Sequence, residues 1–147
     1  MREIHLNASW VIKAPREEIY KIMSDFENIP RHFPKVAESL RIVSRDGNNL
    51  SIEAKAKSFG RTIQVNMQTE LRPPEGYISD NKSYIGTSGH EEFLMEEIPG
   101  GTRINYSYDI KINNPIFRLF GKPLLGWYAM RFWERAVIDK LREMLEK

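Results

Sequence analysis

Two tyrosines and two glutamates are the residues best placed for chemistry in this sequence of 147 residues. Tyr106 and Tyr108 alternate with polar residues in the run 104–112, and this period of two predicts a strand with both rings on its apolar face. A buried tyrosine hydroxyl normally needs a hydrogen-bond partner. It could bind a ligand carbonyl or donate a proton as a general acid, or it could bond a backbone carbonyl or reach solvent at a cavity rim.

The two glutamates are Glu91 and Glu134, and both fall among apolar neighbours. On a helical wheel Glu134 lies between Met130 and Leu141, inside an apolar stripe. Burying a carboxylate is costly unless it is paired or protonated. Glu134 is therefore either the polar anchor of a pocket or one half of an ion pair with a strand Arg or Lys, unless the helix is rotated by a few tens of degrees from this wheel. Glu91 shares strand parity with Phe93, which predicts that it lines the pocket mouth.

The sequence argues against several other kinds of site. It has no cysteine, which removes disulfides, thiolate catalysis and cysteine-based metal sites. His5, His32 and His90 are scattered over different predicted elements, and no H-E-x-x-H motif is present, so we expect no metal ion and no cofactor. A Ser-His-Asp arrangement stays open, but there is no nucleophile elbow and no glycine-rich phosphate loop. A net charge of +2 does not indicate a nucleic-acid partner.

The elements that would position these residues follow from the turn residues and from changes in hydrophobic period. Alternation over 4–12 predicts a strand, and the helical pattern of 15–23 predicts a short helix, with a second over 25–32. Period-two segments separated by tight turns, such as the hairpin turn at 46–49, predict about six further strands in an antiparallel meander. Apolar residues at steps of three and four predict one long helix over 122–147.

Together these elements predict an α+β fold, in which a long helix lies across the concave face of a strongly twisted antiparallel sheet. A single domain over 1–147 fits the length. No apolar run approaches the ~18 residues that a membrane span needs, and the N-terminus carries Glu3 and His5 where a signal peptide would be apolar. We therefore expect a cytoplasmic protein.

The stretch 10–36 resembles the N-terminal signature of the START-like superfamily (SRPBCC), which includes polyketide cyclase/dehydrase-like, coenzyme-Q-binding and Bet v 1-like proteins. The matching features are an Ala-Pro pair, an amphipathic turn with an aromatic residue, an Asp that opens the second helix and two later X-Pro pairs. These are Ala14-Pro15, Tyr20, Asp25, Ile29-Pro30 and Phe33-Pro34. Phe93-x-Met95 and Gly101-Thr102-Arg103 resemble the penultimate hairpin. The chain looks most similar to the coenzyme-Q-binding/cyclase-like branch.

The resemblance implies the helix-grip fold: a strongly curved antiparallel sheet of about seven strands wrapped around a long C-terminal helix, with two short helices after the first strand. Superfamily members bind lipids, sterols, quinones or polyketides in a cavity between sheet and helix, so a hydrophobic small molecule is the implied partner. The same side chains could instead fill a core at normal packing density. The predicted ligand-binding residues are Ile63, Val65, Met67, Glu91, Phe93, Met95, Ile104, Tyr106, Tyr108, Met130, Trp133, Glu134 and Val137.

A second candidate surface lies in the segment 115–132, where aromatic and basic residues are interleaved. Such a mixture suits transient contact with a membrane surface, and the helical wheel places Tyr128 and Phe132 away from Met130 and Val137. The segment could also wrap over the sheet edge or form a homodimer contact. The predicted surface residues are Phe117, Arg118, Phe120, Lys122, Trp127, Tyr128, Arg131 and Phe132.

Three functions follow from this combination. The first is a non-enzymatic carrier or sensor of a hydrophobic small molecule such as a lipid, quinone or polyketide. The second is a polyketide cyclase or aromatase, for which Tyr106, Tyr108, Glu91 and Glu134 are the candidate acid and base groups. The third is a protein-interaction module similar to the ribosome-associated branch of the superfamily. A mostly apolar pocket with one or two hydroxyls favours binding over chemistry.

Overall fold

A computed structural model of the chain describes residues 2–58, 61–83, 86–112 and 130–146. The described residues form seven strands, two short helices and part of a C-terminal helix. The strands are β1 Arg2–Ile12, β2 Ser39–Asp46, β3 Asn49–Ser58, β4 Arg61–Arg72, β5 Gly76–Ser83, β6 Thr87–Ile98 and β7 Gly101–Ile112. Helix α1 spans Arg16–Met23 and helix α2 spans Ile29–His32, with a 3-10 turn at Phe26–Asn28 between them.

The strands make one antiparallel sheet in the order β1-β7-β6-β5-β4-β3-β2. Each strand from β2 to β6 pairs with the next one along the chain, which is the predicted meander, and β1 pairs with β7. Tight turns make this order possible, and one of them requires a glycine. Gly76 begins β5 at φ +146°, and a Cβ there would lie 1.8 Å from the carbonyl oxygen of Phe93 on β6.

The core lies between the concave face of the sheet, the short helices and the C-terminal helix. Alternate strand residues point into it, as their period of two predicts, and Ile52, Phe93 and Ile104 are buried. Helix α1 buries Ile19 and Met23, so its apolar face covers one end of the sheet. Each such apolar side chain contributes about 1.5–3 kcal/mol on burial. The predicted α+β helix-grip fold, with two short helices after the first strand, is confirmed.

The described part of the C-terminal helix runs over 130–145 and is not a uniform α-helix. A π-helical turn at Glu134–Ile138 precedes the α-helix Asp139–Leu145. The wider i→i+5 turn changes the phase of the side chains around it, and Ala136, Val137 and Ile138 are buried in succession. Residues 122–129 and 147 of the predicted helix lie outside the described residues. Among the described helices, none is long and apolar enough to cross a membrane.

Candidate ligand cavity

A cavity of about 450 Å³ lies between the concave face of the sheet, the short helices and the C-terminal helix. Its wall is mainly aliphatic and aromatic, with a few polar groups from β5, β6 and β7. The lining residues are Leu6, Met23, Phe26, Ile29, Phe33, Val36, Ala37, Leu40, Ala54, Ala56, Val65, Met67, Tyr77, Asn81, Glu91, Tyr106, Tyr108, Ile110, Met130, Phe132, Trp133 and Val137. An apolar wall with a few convergent polar groups is the usual form of a small-molecule site.

Small side chains leave this space open. Ala54 and Ala56 occupy two successive inward positions of β3, and Ala37 lies in the loop before β2. A leucine at each place would occupy volume that the alanines leave empty, because protein interiors are otherwise packed to near-crystalline density. The sequence carries this signal as two alanines at the inward parity of a strand, where Leu50 and Ile52 precede them.

Glu91 is the charged centre of the cavity wall and is only 8% exposed. The hydroxyls of Tyr106 and Tyr77 donate hydrogen bonds to its carboxyl group. Burial raises the pKa of Glu91, and the two tyrosine hydrogen bonds act against this rise. Tyr106 and Tyr77 both have a pKa well above the usual value for tyrosine. Burial is the largest cause, and the nearby charge of Glu91 is the second. The cavity therefore contains a desolvated carboxyl group whose acidity is weakened and two tyrosines that stay protonated.

A second group of polar side chains runs from buried positions on β4 and β5 to the cavity wall at Asn81 and Tyr108. The hydroxyls of Thr69 and Ser79 are 2.9 Å apart, and Ser79 donates to Asn81 Oδ1 over 2.7 Å. Asn81 Nδ2 donates to the Tyr108 hydroxyl over 3.4 Å. Burial, with a smaller effect of the Glu91 charge, raises the pKa of Tyr108 to about 12.

The Tyr108 ring lies over β6 at a position that only glycine can occupy. A Cβ on Gly89 would meet Tyr108 Cε1 at 2.6 Å, a distance that real Cβ contacts do not show. Glu91 follows Gly89 by two positions on β6, so both residues lie on the inward face of the strand. The absence of a side chain at Gly89 therefore leaves the space that the Tyr108 ring occupies on the inward face of β6.

The C-terminal helix closes the cavity with Trp133. Its ring stacks on Tyr106 with centroids 4.1 Å apart and on Trp10 at 5.4 Å, while Phe93 packs at 5.8 Å. Trp10 Nε1 donates to Glu134 Oε2 over 2.8 Å. These contacts hold the helix against β1 and β7 and fix the position of the Tyr106 ring.

Glu134, predicted as either a pocket anchor or half of an ion pair, lies outside the cavity. Its carboxylate accepts the Trp10 hydrogen bond and lies 3.5 Å from the Arg131 guanidinium on its own helix. The cation is thus on the helix and not on a strand. The predicted helical wheel assumed a regular α-helix, whereas the π-helical turn that begins at Glu134 alters the phase.

Of the remaining predicted ligand-binding residues, most line the cavity and the others lie in the core around it. Those in the wall are Val65, Met67, Glu91, Tyr106, Tyr108, Met130, Trp133 and Val137. Phe93, Met95 and Ile104 are buried in the core, and Ile63 is partly buried on β4 outside the cavity wall.

Little of the predicted aromatic-basic surface is described. Phe117, Arg118, Phe120, Lys122, Trp127 and Tyr128 lie outside the described residues. Arg131 is exposed and pairs with Glu134. Phe132, which the wheel placed away from Met130, is 38% exposed and also borders the cavity. Membrane contact and a homodimer stay predictions.

Sequence reasoning missed the contribution of the short helices and of β5 to the cavity. The helical segment supplies Met23, Phe26 and Ile29, and β5 supplies Tyr77 and Asn81. The apolar face of α1 was visible in the sequence, but nothing local indicated that it faces a cavity. For Asn81, the signal was its strand parity with Tyr77.

The outer face of the sheet carries a different, polar depression. A cleft of about 670 Å³ there is lined by side chains such as His5, His90 and Asp109. His90 lies 2.7 Å from Asp80 and 2.8 Å from Glu92, outside the central cavity as its parity predicts. Among the described residues, His, Asp and Glu side chains form no group of three that could hold a metal ion. This open, polar cleft does not suit a hydrophobic ligand.

A curved seven-stranded sheet that grips a C-terminal helix, with an apolar cavity between them, defines a START-like protein of the helix-grip class. Residues 3–146 match the family model described as polyketide cyclase / dehydrase and lipid transport. The chain therefore belongs to that family, within the START-like (SRPBCC) superfamily. A search of curated proteins finds no match.

Several solved structures share this fold at low sequence identity. A START superfamily protein from Mycobacterium smegmatis is 16% identical with a TM-score of 0.80, and the similarity covers 97% of each chain. The protein TTHA0849 from Thermus thermophilus is 19% identical with a TM-score of 0.73, over 95% of this chain and 94% of that one. The Zhui aromatase/cyclase from Streptomyces sp. R1128 is 12% identical with a TM-score of 0.72, over 95% of this chain and 90% of that one. At these identities the likeness shows the fold.

Proposed function

We propose that the protein binds and carries a hydrophobic small molecule in the cavity between the sheet and the C-terminal helix. The observation that carries this proposal is the cavity itself: about 450 Å³ of space with a wall of aliphatic and aromatic side chains around one buried carboxyl group. This volume lies within the range of about 300–1,000 Å³ that is typical of small-molecule sites. Family membership and the fold support the same function.

The energetics favour an apolar ligand. Burying about 300 Å² of apolar ligand surface contributes about 7.5 kcal/mol at roughly 25 cal/mol per Å². Part of this is offset by the freedom lost on association. Met23, Met67 and Met130 lie in the wall, and the unbranched methionine side chain can adapt to irregular ligand shapes.

A cyclase or aromatase function is the second candidate, and the Tyr106–Glu91 pair is the observation that favours it. A carboxyl group whose pKa is raised by burial keeps its proton to a higher pH than an exposed one, which is the direction that a general acid requires. Tyr106, whose pKa is held far above its usual value, is a weaker proton donor. The Zhui structure shows that an aromatase/cyclase uses the same fold. Turnover of a ring-forming polyketide-like substrate by the purified protein, abolished in Glu91→Gln, would favour this function over simple binding.

The test of binding is to purify the protein without denaturation, extract it with organic solvent and analyse the extract by mass spectrometry. We expect a stoichiometric apolar compound from the native protein. Ala54→Leu fills part of the cavity and should reduce the bound amount, whereas Lys55→Leu on the same strand points away from it and should not. An empty extract, together with no binding of an added apolar fluorophore such as Nile red, would contradict the proposal.

A further inference from the structure

The charge of the cavity wall constrains the polar end of a ligand. Among the described lining residues Glu91 is the charged side chain, and no lysine, arginine or histidine accompanies it. Tyr77 and Tyr106 surround its carboxyl group with hydroxyls and rings. A ligand carboxylate or phosphate placed here would face a buried acid without a cation to balance it, which is unfavourable in a desolvated site. The described residues of the cavity wall therefore disfavour a ligand whose polar end is an anion.

The hydrogen bonds from β4 to β7 have a definite direction that ends in the cavity. Ser79 donates its single hydroxyl proton to Asn81 Oδ1, so Thr69 must donate to Ser79. Asn81 Nδ2 in turn donates to the Tyr108 oxygen. The Tyr108 oxygen is thus an acceptor within this chain, and among the described residues no acceptor receives its own proton. The Tyr108 hydroxyl can therefore donate a hydrogen bond to a ligand in the cavity.

Glu91 offers the complementary function. It receives hydrogen bonds from Tyr106 and Tyr77, so its carboxyl group behaves as an acceptor. A carboxylate has about four lone-pair positions, and two tyrosine hydroxyls leave room for a further donor. Glu91 and Tyr108 are direct partners in the β6–β7 register. The Cβ atoms at such positions lie on the same face of the sheet about 5 Å apart, and both side chains line the cavity. A ligand hydroxyl placed between the two side chains can therefore contact both.

We propose that the ligand carries a neutral hydroxyl group, alcoholic or phenolic, which accepts a hydrogen bond from Tyr108 and donates one to Glu91. This inference rests on the proposed function and specifies its ligand. A hydroxyl both donates and accepts, as the two side chains require. An ammonium group only donates and leaves Tyr108 without an acceptor. A ketone only accepts and leaves Glu91 without its donor, while a carboxylate also suffers repulsion.

The test uses four compounds that share one apolar body and differ in the polar group. These are 2-naphthol, 2-acetylnaphthalene, 2-naphthoate and 2-naphthylmethylammonium. Each is titrated by calorimetry at neutral pH into the purified protein, after removal of any co-purified ligand. We expect 2-naphthol to bind tightest, with each other compound weaker by about fivefold or more, the effect of one lost hydrogen bond. Tighter or equal binding of any of the other three would overturn the inference and leave the proposed function intact.

Two variants assign the recognition to the named side chains. Tyr108→Phe should weaken 2-naphthol about fivefold and leave 2-naphthylmethylammonium unchanged, because it removes the donor alone. Glu91→Gln keeps the shape of the side chain but removes its charge. It should therefore reduce the difference in affinity between 2-naphthol and 2-naphthoate. Tyr20→Phe and Glu92→Gln, which lie outside the cavity wall, are the matched controls.

The outcomes separate the inference from the proposed function. If Tyr108→Phe and Glu91→Gln bind 2-naphthol as the native protein does, while their thermal unfolding is cooperative, the hydroxyl assignment is wrong even though a ligand is bound. If none of the four compounds binds and Nile red also fails to bind, the proposed function itself is wrong.

Discussion

Glu91, with its buried carboxyl group, is the residue on which the chemistry of the cavity depends. A carboxylate taken out of water is costly unless hydrogen bonds compensate it, and here tyrosine hydroxyls do so. Strand parity alone predicted its inward direction, whereas its partner Tyr77 came from a strand whose place in the site was not predicted. The inward direction of Glu91 could be predicted because it depends only on neighbouring residues of one strand. Its hydrogen bond with Tyr77 could not be predicted, because it joins two different strands.

Glu91 should make the stability of the protein depend on pH in a definite sense. Its pKa in the folded protein is raised by burial above the usual value of 4.5, so between the two values the folded state holds more protons than the unfolded state. Stability therefore falls as pH rises from about 4.5 through the folded pKa. We expect the free energy of unfolding of the native protein to decrease over this window relative to that of Glu91→Gln.

The measurement is urea unfolding at a series of pH values for both proteins. The difference between the two curves isolates the contribution of Glu91, since other titrating groups are shared. Glu75→Gln, at an exposed glutamate in the turn before β5, serves as the control. Parallel pH profiles for the native protein and Glu91→Gln would contradict a raised pKa.

At the level of elements, the C-terminal helix is held to β1 by polar links as well as by aromatic stacking. Glu134 accepts from Trp10, the Lys13 amide donates to Glu146 over 2.7 Å, and Arg142 donates to the Val11 carbonyl over 3.1 Å. Two of these bonds satisfy backbone groups at the C-terminal end of β1 and just after it, the Val11 carbonyl and the Lys13 amide. The helix therefore both closes the cavity and is fastened to the end of β1.

Glu134 is expected to act on stability and not on ligand affinity. Glu134→Ala removes the acceptor of the half-buried Trp10 indole, which should lower the free energy of unfolding by about 1 kcal/mol, the value of a typical hydrogen bond. Affinity for a cavity ligand should change less than about twofold, equivalent to roughly 0.4 kcal/mol. Denaturant unfolding and calorimetric titration of the variant measure both quantities. A large loss of affinity with unchanged stability would restore Glu134 as a pocket anchor.

The entry into β5 should be intolerant of any side chain. Gly76→Ala places a Cβ 1.8 Å from the Phe93 carbonyl oxygen at φ +146°, so the two strands must separate, and we expect a loss of more than about 3 kcal/mol in unfolding free energy. Gly47→Ala is the matched control, because Gly47 also has a positive φ but no atom within 4 Å of the added Cβ. It should cost only about 1–2 kcal/mol.

Thermal and urea unfolding of the two glycine variants give the comparison directly. Similar losses in both would show that backbone strain, and not the contact with β6, decides the requirement at Gly76. A markedly larger loss in Gly76→Ala supports the close approach of the strands.

On the scale of the whole molecule, the described residues divide into a packed core and a hollow region. Phe93, Ile104 and Leu141 fill the core, while Ala54 and Ala56 leave space beneath the short helices. Ligand binding would complete the packing of this hollow region. Because a ligand that binds only the folded state stabilises it by mass action, stability and occupancy are linked.

A variant whose cavity is filled by a larger side chain should therefore be stabilised less by added ligand. At a ligand concentration of about 100 times Kd the native protein should gain about 2.7 kcal/mol of stability. Ala54→Leu should unfold at or above the temperature of the ligand-free native protein yet gain less than half of the ligand-induced stabilisation. Lys55→Leu should respond to ligand as the native protein does. Thermal unfolding with and without 2-naphthol measures each case, and an undiminished response in Ala54→Leu would place the ligand elsewhere.

The sequence by itself determined the order of the elements, the antiparallel meander and the inward direction of Glu91, Tyr106 and Tyr108. These features depend on an alternation of two and on turn residues, both of which act over a few neighbouring positions. The tertiary structure alone decided that Glu134 leaves the apolar stripe, because the π-helical turn shifts the helical phase. It also decided that Ala54 faces space and not a packed neighbour, since an opening between sheet and helices depends on how far apart distant segments of the chain are held.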